Sequence, residues 1–256
     1  MPEPGKTARF EIPPELRFLL KRALRTGIFD YAFTGPQSAK HLVESLGIPH
    51  TEISYIRVNG ESRSLDYLVQ DGDCIQVFSQ SANNTYIDRN PGEPRFVLDG
   101  HLGRLGAYLR MLGLDCLYRN NYTDPELVQI SVKEGCILLT RDRRLLMHKT
   151  IQHGCLLRSL DPGVQFTEII QRFALKYWIK PFQRCLICNH VLQPVDKEVI
   201  LDRLQPLTIQ YFDEFHLCPG CNQVYWKGSH YERMLPLVLM AGRLVDEMPL
   251  EPLTGT

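Results

Sequence analysis

Two C-x-x-C pairs, Cys185-Leu186-Ile187-Cys188 and Cys218-Pro219-Gly220-Cys221, constrain the last third of this chain more than any other feature. Each such turn offers two thiolates to one ion, and two turns close a tetrahedral site of four soft ligands. Four thiolates leave no open position. Cys185, Cys188, Cys218 and Cys221 are therefore expected to hold a structural Zn²⁺, in place of a core that a segment this short cannot build. A redox pair is the competing reading for one C-x-x-C alone. His190 and His216 flank the turns and are substitute ligands, although single histidines of this kind are more often packing or surface residues. The other cysteines, Cys74, Cys116, Cys136 and Cys155, stand singly in apolar contexts, as small buried hydrophobes do in a reducing compartment.

Upstream of the ribbon there is room for more than one domain, since 256 residues exceed the usual single-domain length. No apolar run approaches the roughly 20 residues that span a bilayer. The first twenty residues carry charges and prolines where a signal peptide needs a continuous apolar stretch, so a cytoplasmic location is expected. Two boundaries are visible. The stretch Ser79 to Pro94 is polar and rich in Asn, Pro and Gly, as a linker is, and a second break lies near Lys180-Pro181. The division expected is residues 1–79, a linker over 80–94, a central domain over 95–180, the ribbon over 181–234 and a tail over 235–256.

The first segment alternates short strands (Ala8 to Ile12, Phe29 to Phe33, Ser54 to Val58, Cys74 to Phe78) with helical stretches over Pro14 to Leu24 and Gln37 to Leu46. Val58-Asn59-Gly60 and Asp71-Gly72-Asp73 supply turn residues that tolerate positive φ. This pattern resembles a ubiquitin-like β-grasp domain over roughly residues 7 to 79. It lacks a Gly-Gly tail, which disfavours a conjugated or sulfur-carrying modifier. A module that binds a protein partner or aids folding, without chemistry of its own, is the reading that follows.

The central segment repeats strand and helix. Arg95 to Leu98 is a short apolar strand, and Leu102, Leu105, Leu109 and Leu112 recur at helical spacing until Gly113 closes the helix. Asp115 to Tyr118 is the next strand. Pro125 opens a helix that Gly135 ends, and Cys136 to Thr140 is continuously apolar, as buried parallel strands are. A helix from Arg143, a strand Cys155 to Arg158 and an amphipathic helix Gln165 to Trp178 follow. Such alternation predicts an α/β fold, a parallel sheet with helices on both faces.

Ligands of open α/β sheets bind beyond the carboxyl ends of the strands. Asp99 follows the first strand, Asp142 follows Thr140-Arg141, and Asp124 opens a helix leading back into the sheet, with Glu126 close behind. Carboxylates gathered there raise one another's pKa unless a cation compensates, and hard oxygen ligands select Mg²⁺ or Mn²⁺. Such a site hydrolyses phosphodiesters. Arg104, Arg110, Arg141, Arg143 and Arg144 are candidate phosphate contacts. Between Asp99 and Arg158 there are nine Lys/Arg against six Asp/Glu, while the whole chain is neutral, with 29 of each, which argues against indiscriminate binding through bulk charge. Each aspartate also has a plain alternative as a helix N-cap.

The run Phe96-Val97-Leu98-Asp99-Gly100-His101-Leu102-Gly103-Arg104-Leu105, continued by Leu109-Arg110-Met111-Leu112-Gly113-Leu114-Asp115, closely resembles the opening of the Mut-seven C-terminal RNase family, a PIN-like nuclease group. Leu138-Leu139-Thr140-Arg141-Asp142-Arg143 is similar to its second signature. The resemblance spans about residues 95 to 232. It implies a PIN-like fold and Mg²⁺- or Mn²⁺-dependent cleavage of RNA, with Asp99, Asp124 or Glu126, and Asp142 as the matching acids. Ala107 stands where a basic residue is expected, and Pro125 interrupts an acidic stretch that is usually longer. Asp115 recurs in the family, but its place at a strand start favours a structural role. Val224-Tyr225-Trp226-Lys227-Gly228-Ser229-His230 accompanies the ribbon. Trp226, Lys227 and His230 are candidate contacts to single-stranded RNA, and packing of Tyr225 and Trp226 under the zinc site is the equal alternative. The expectation is a single-strand ribonuclease. An inactive, RNA-binding or ribosome-associated adaptor is the alternative from another class, and DNA cleavage by the same chemistry is a third.

Overall fold

The computed structural model describes residues 5–80, 92–173 and 175–246. Most of the expected linker and the end of the expected tail lie outside the described residues. Two compact units result, one of residues 1–91 with 123–157, the other of residues 92–122 with 158–256.

The first unit opens with a five-stranded sheet of order β2-β1-β5-β3-β4. Its members are β1 (Lys6–Glu11), β2 (Ile28–Phe33), α1 (Ala39–Ser45), β3 (Ile53–Val58), β4 (Glu61–Arg63) and β5 (Cys74–Ser79). β1 runs parallel to β5 and antiparallel to β2, and β3 is antiparallel to both β4 and β5. This is the β-grasp arrangement. Alternation along the strands buries Ala8 and Phe10, Ile56 and Val58, Ile75 and Val77, while α1 buries Ala39, Leu42 and Val43. Asn59 and Gly60, both at positive φ, make the turn between β3 and β4.

One expectation fails here. Residues 14–24 form two short 3-10 stretches, Pro14–Leu19 and Arg22–Leu24, and not a continuous helix. Leu20 between them is extended, and the guanidinium of Arg25 donates to the Leu20 and Phe18 carbonyls, acceptors that a continuing helix would have used.

The same unit continues with α3 (Asp124–Glu134), β8 (Ile137–Thr140), α4 (Arg143–Leu146) and β9 (Gly154–Leu156), with β8 and β9 parallel. Thr123, not Asp124, is the N-cap of α3, and Gly135 ends it in the left-handed region at φ 63.

The second unit holds β6 (Arg95–Leu98), a 3-10 turn Gly100–Leu102, α2 (Gly103–Met111) and β7 (Asp115–Tyr118). β6 and β7 are parallel, with Arg95 opposite Asp115 and Leu98 opposite Tyr118. Gly113 follows α2 at φ +89, and a β-carbon there would meet the Lys180 carbonyl oxygen at 2.2 Å, so only glycine fits. α5 (Pro162–Phe173) packs on α2, where Tyr108 and Phe166 meet edge to face, and on α7 (Ser229–Asp246). The expected helix Gln165 to Trp178 ends early in α5, and Leu175–Trp178 is a 3-10 turn. α7 is much longer than the short helix expected from Leu235, and carries Pro236 in its interior.

Between α5 and α7 lies a three-stranded antiparallel sheet of β10 (Gln193–Val195), β11 (Phe215–Leu217) and β12 (Val224–Trp226), interrupted by a 3-10 stretch Lys197–Arg203 and α6 (Pro206–Tyr211). Its core is small, Ile200, Leu204, Phe215 and Val224. The class is thus α/β, with PIN-like parallel strands and their helices, a β-grasp sheet before them and a zinc-ribbon sheet after.

Candidate functional site

Asp99 stands directly beyond the carboxyl end of β6, at the N-cap position of the 3-10 turn that leads into α2, with no capping bond from its side chain. Asp115 stands at the other end of the β6/β7 pair, opposite Arg95. There its Oδ2 meets Arg95 Nε at 3.1 Å and Arg184 Nη2 at 3.7 Å, and its Oδ1 accepts from Asn189 Nδ2 at 2.6 Å. A carboxylate so engaged ties the strand to the first knuckle.

Arg110 does the same from α2. It is 3% exposed, and its guanidinium donates to the carbonyls of Cys116, Leu186 and Ile187 at 2.7 to 3.1 Å. This arginine was expected to contact phosphate; buried, with its guanidinium engaged by these backbone carbonyls, it leaves the RNA-facing set. Arg104 on the same helix is exposed.

In the first unit α3 runs back along β8 through the two-residue connection Gly135-Cys136, so the start of α3 and the end of β8 share one edge. Asp124 opens α3 and Asp142 follows β8 at that edge. Asp142 is the N-cap of α4: its Oδ1 accepts from the amides of Arg144 at 2.7 Å and Leu145 at 3.4 Å, and its own amide donates to Thr140 Oγ1 at 2.9 Å. Its other carboxylate oxygen has no hydrogen bond to a described residue. Asp124 makes none at all to a described residue, and both acids are exposed. Glu126 differs. Its Oε2 accepts from both the amide and the hydroxyl of Thr123 at 2.7 Å, a local closure of the helix start. Arg141, Arg143 and Arg144 are exposed beside Asp142, and Arg143 also donates to the Leu19 carbonyl at 3.1 Å.

The four paired cysteines converge. Cys185 Sγ lies 3.6 Å from Cys221 Sγ, Cys188 Sγ lies 3.2 Å from Cys218 Sγ, and all four sulfurs fall within 4.8 Å of one another. A tetrahedron with metal–sulfur bonds of about 2.3 Å has edges of roughly 3.8 Å, so the donor set fits one zinc-sized ion. Among the described residues this is the one group of three or more Cys, His, Asp or Glu side chains gathered so closely.

The thiols register the crowding. Burial, with the neighbouring sulfurs adding to it, pushes Cys188 up to about 12. Burial opposes ionisation of Cys185 too, but hydrogen bonds from the Tyr225 hydroxyl and the amides of Cys188 and Ile187 outweigh it and bring that thiol down to about 6. A soft dication would deprotonate all four. His190 Nδ1 stands 3.4 Å from Cys188 Sγ, beside the cluster, and His216 sits within β11.

The aromatic motif after the second knuckle divides. Tyr225 is packed under the cluster, its hydroxyl 3.1 Å from Cys185 Sγ and accepting from the Leu186 amide. Trp226 is 37% exposed. Lys227 pairs with Glu214 at 2.7 Å across the β11/β12 hairpin, which lowers the Glu214 carboxyl and raises the Lys227 amine, and His230 is exposed in the first turn of α7. Sequence reading had missed Asn189 and Arg184. Arg184 donates to the carbonyls of Gly113 and Asn189. The signal for Asn189 is its place just after Cys188, where it takes a positive φ of 72 that asparagine tolerates.

Comparison with known families gives two matches. Residues 94–238 match the Mut7-C RNAse domain model, more than half of the chain. The chain belongs to the Mut7-C RNase family. Residues 5–84 match the Mut7-C ubiquitin model, so the ubiquitin-like sheet is this family's own leading module. No curated protein and no solved structure matches. The Mut7-C match takes in both acid signatures, Asp99 and Asp142, together with all four cysteines. Among the described residues no helix is long and apolar enough to cross a membrane.

Proposed function

We propose that this Mut7-C chain is a divalent-cation-dependent ribonuclease acting on single-stranded RNA, with Asp99, Asp124 and Asp142 as its acidic residues. The observation that supports this best lies at the edge shared by α3 and β8. Asp142 spends one oxygen on its helix and leaves the other uncommitted, while Asp124 leaves its whole carboxylate uncommitted. Exposed carboxylates at the carboxyl ends of parallel strands are where ligands of α/β sheets bind.

Of the two acids opening α3 we assign Asp124, since Glu126 is engaged in closing the helix start. Mg²⁺ keeps several waters and takes only one or two carboxylates, so a tight cage of three is not required. The cation would activate a water and stabilise the leaving oxygen of a phosphodiester. Arg104, Arg141 and Arg144 are the exposed arginines we assign to phosphate contacts, and Arg143 would share that task with its tie to Leu19. We assign Zn²⁺ to the four cysteines as a structural ion, and Trp226 and His230 to unpaired bases and phosphate, with Lys227 a weaker contact because of its pairing with Glu214.

The test is incubation of purified protein with labelled single-stranded RNA and DNA, with Mn²⁺ or EDTA, beside Asp99→Asn and Asp142→Asn. Cation-dependent cleavage of RNA that both substitutions abolish is the expected result. Binding of RNA without cleavage would replace this reading by that of an adaptor, and equal cleavage of DNA would remove the preference for RNA.

A further inference from the structure

The ubiquitin-like sheet belongs to the same compact unit as residues 123–157, and the contacts between them are specific. Three places on the ubiquitin-like side take part. The first is the 3-10 turn His50–Glu52, which packs against β9. Glu52 is 2% exposed, and its Oε1 accepts from the Leu156 amide at 2.8 Å. The second is His50, whose Nδ1 faces Glu44 Oε1 at 2.7 Å and whose Nε2 faces the Ile151 carbonyl at 2.7 Å. The third is the end of the Pro14–Leu19 turn, where the Leu19 carbonyl accepts from Arg143 Nη1. Gly47 lies against the same guanidinium, since a β-carbon there would stand 3.1 Å from Nη1.

The chemistry of these contacts says what they do. The Leu157 amide bonds to the Thr140 carbonyl in β8, so the preceding Leu156 amide points to the other side of β9, where no strand among the described residues pairs with it. An open strand edge carries unpaired donors that must be covered. Glu52 covers this one. At the other end of the segment α4 is a single turn, too short to hold itself, and its burial of Leu145 and Leu146 and the Arg143–Leu19 bond fix where it sits. Asp142 caps that turn, so the direction of its uncommitted oxygen follows from the place of α4.

We propose that the ubiquitin-like domain acts on its own chain, as a clamp whose partner is the nuclease segment 140–157, and that Glu52 is a positioning residue for Asp142. The catalytic half of this statement rests on the reading of Asp142 given above; the docking half does not.

Two measurements on the full chain separate them. Hydrogen exchange at the Leu156 amide and across residues 140–146 reports docking alone. RNA cleavage, resolved into kcat and KM, reports its consequence. In Glu52→Ala the Leu156 amide loses protection, residues 140–146 exchange faster, and kcat falls at least about tenfold with KM for RNA unchanged, as misplacement of a reacting group by a fraction of an ångström would cause. In Glu52→Gln the amide oxygen still accepts, and both protection and kcat return towards the parent values. His50→Gln serves as the milder second variant should Glu52→Ala not fold. Unchanged exchange in Glu52→Ala or, failing that variant, in His50→Gln overturns the clamp. Faster exchange with unchanged kcat overturns the positioning role. Cleavage that survives Asp142→Asn sinks the reading of Asp142 while leaving the exchange result to decide the docking.

Discussion

At Asp142 a helix cap and a metal ligand occupy one side chain, and substitution can part them. Asparagine caps as well as aspartate does, so Asp142→Asn should change stability by only a few tenths of a kcal/mol, whereas Asp142→Ala should cost about 1 kcal/mol. Both should lower cleavage at least about 100-fold, because the charge is gone in each. Urea denaturation beside single-turnover cleavage checks this, and equal activity in Asn and parent proteins would reduce Asp142 to a cap. Arg110 makes the opposite case. Arg110→Ala strands the buried Cys116 carbonyl and removes the donor to those of Leu186 and Ile187, so a loss of roughly 3 kcal/mol is expected, with the salt dependence of RNA binding unaltered in slope. The place of Asp99 and Asp142 beyond strand ends was legible because it is written in the order of residues. The fate of Arg110 was not, since an arginine on a helix reads the same whether it faces phosphate or backbone carbonyls.

Elements were legible in proportion to their punctuation. β6 and β7 were read to the residue because Gly113 and the apolar runs bound them, while α3, marked by Pro125 and Gly135, was read one residue short at its start, where Asp124 is already helical. β4 was missed: Glu61, Ser62 and Arg63 are all exposed on an edge and show no apolar alternation to read. The 3-10 stretches were misread as helix since the leucine spacing of Pro14 to Leu24 suits either, and only the extended Leu20 decides. The start of α3 offers a test at this scale. Glu126→Ala removes the acceptor for the Thr123 amide and hydroxyl, and should cost about 1 kcal/mol while leaving cleavage within about twofold. Asp124→Ala should do the reverse, since Asp124 is not the cap. Thermal melts and initial rates on the pair assign the ligand, and the opposite pattern would move that role to Glu126.

Across the whole molecule two kinds of ion site imply two separable dependences. The cysteine cluster takes a soft ion in a closed donor set, and the carboxylates take a hard ion in exchange with water. Among the described residues the ribbon's apolar core is Ile200, Leu204, Phe215 and Val224 with Val195, Ile209, Phe212 and Leu217 partly buried against it, too little to offset the chain entropy of some forty residues. Its fold must therefore lean on the metal, whose binding in comparable small sites contributes on the order of 10 kcal/mol. Cys218→Ser, or a soft-donor chelator, should strip exchange protection from residues 185–226 and leave the β-grasp sheet and residues 124–156 protected. Restoring Zn²⁺ should restore the chelated ribbon, and Mn²⁺ should not, because thiolates discriminate against it. Cleavage should then return only with both ions present, since Arg110, Arg184 and Asn189 tie the first knuckle to β7 and to the end of α2, the elements that carry the chain away from Asp99. A ribbon that kept its protection after all zinc was removed would show that those ties, and not the cysteines, hold it.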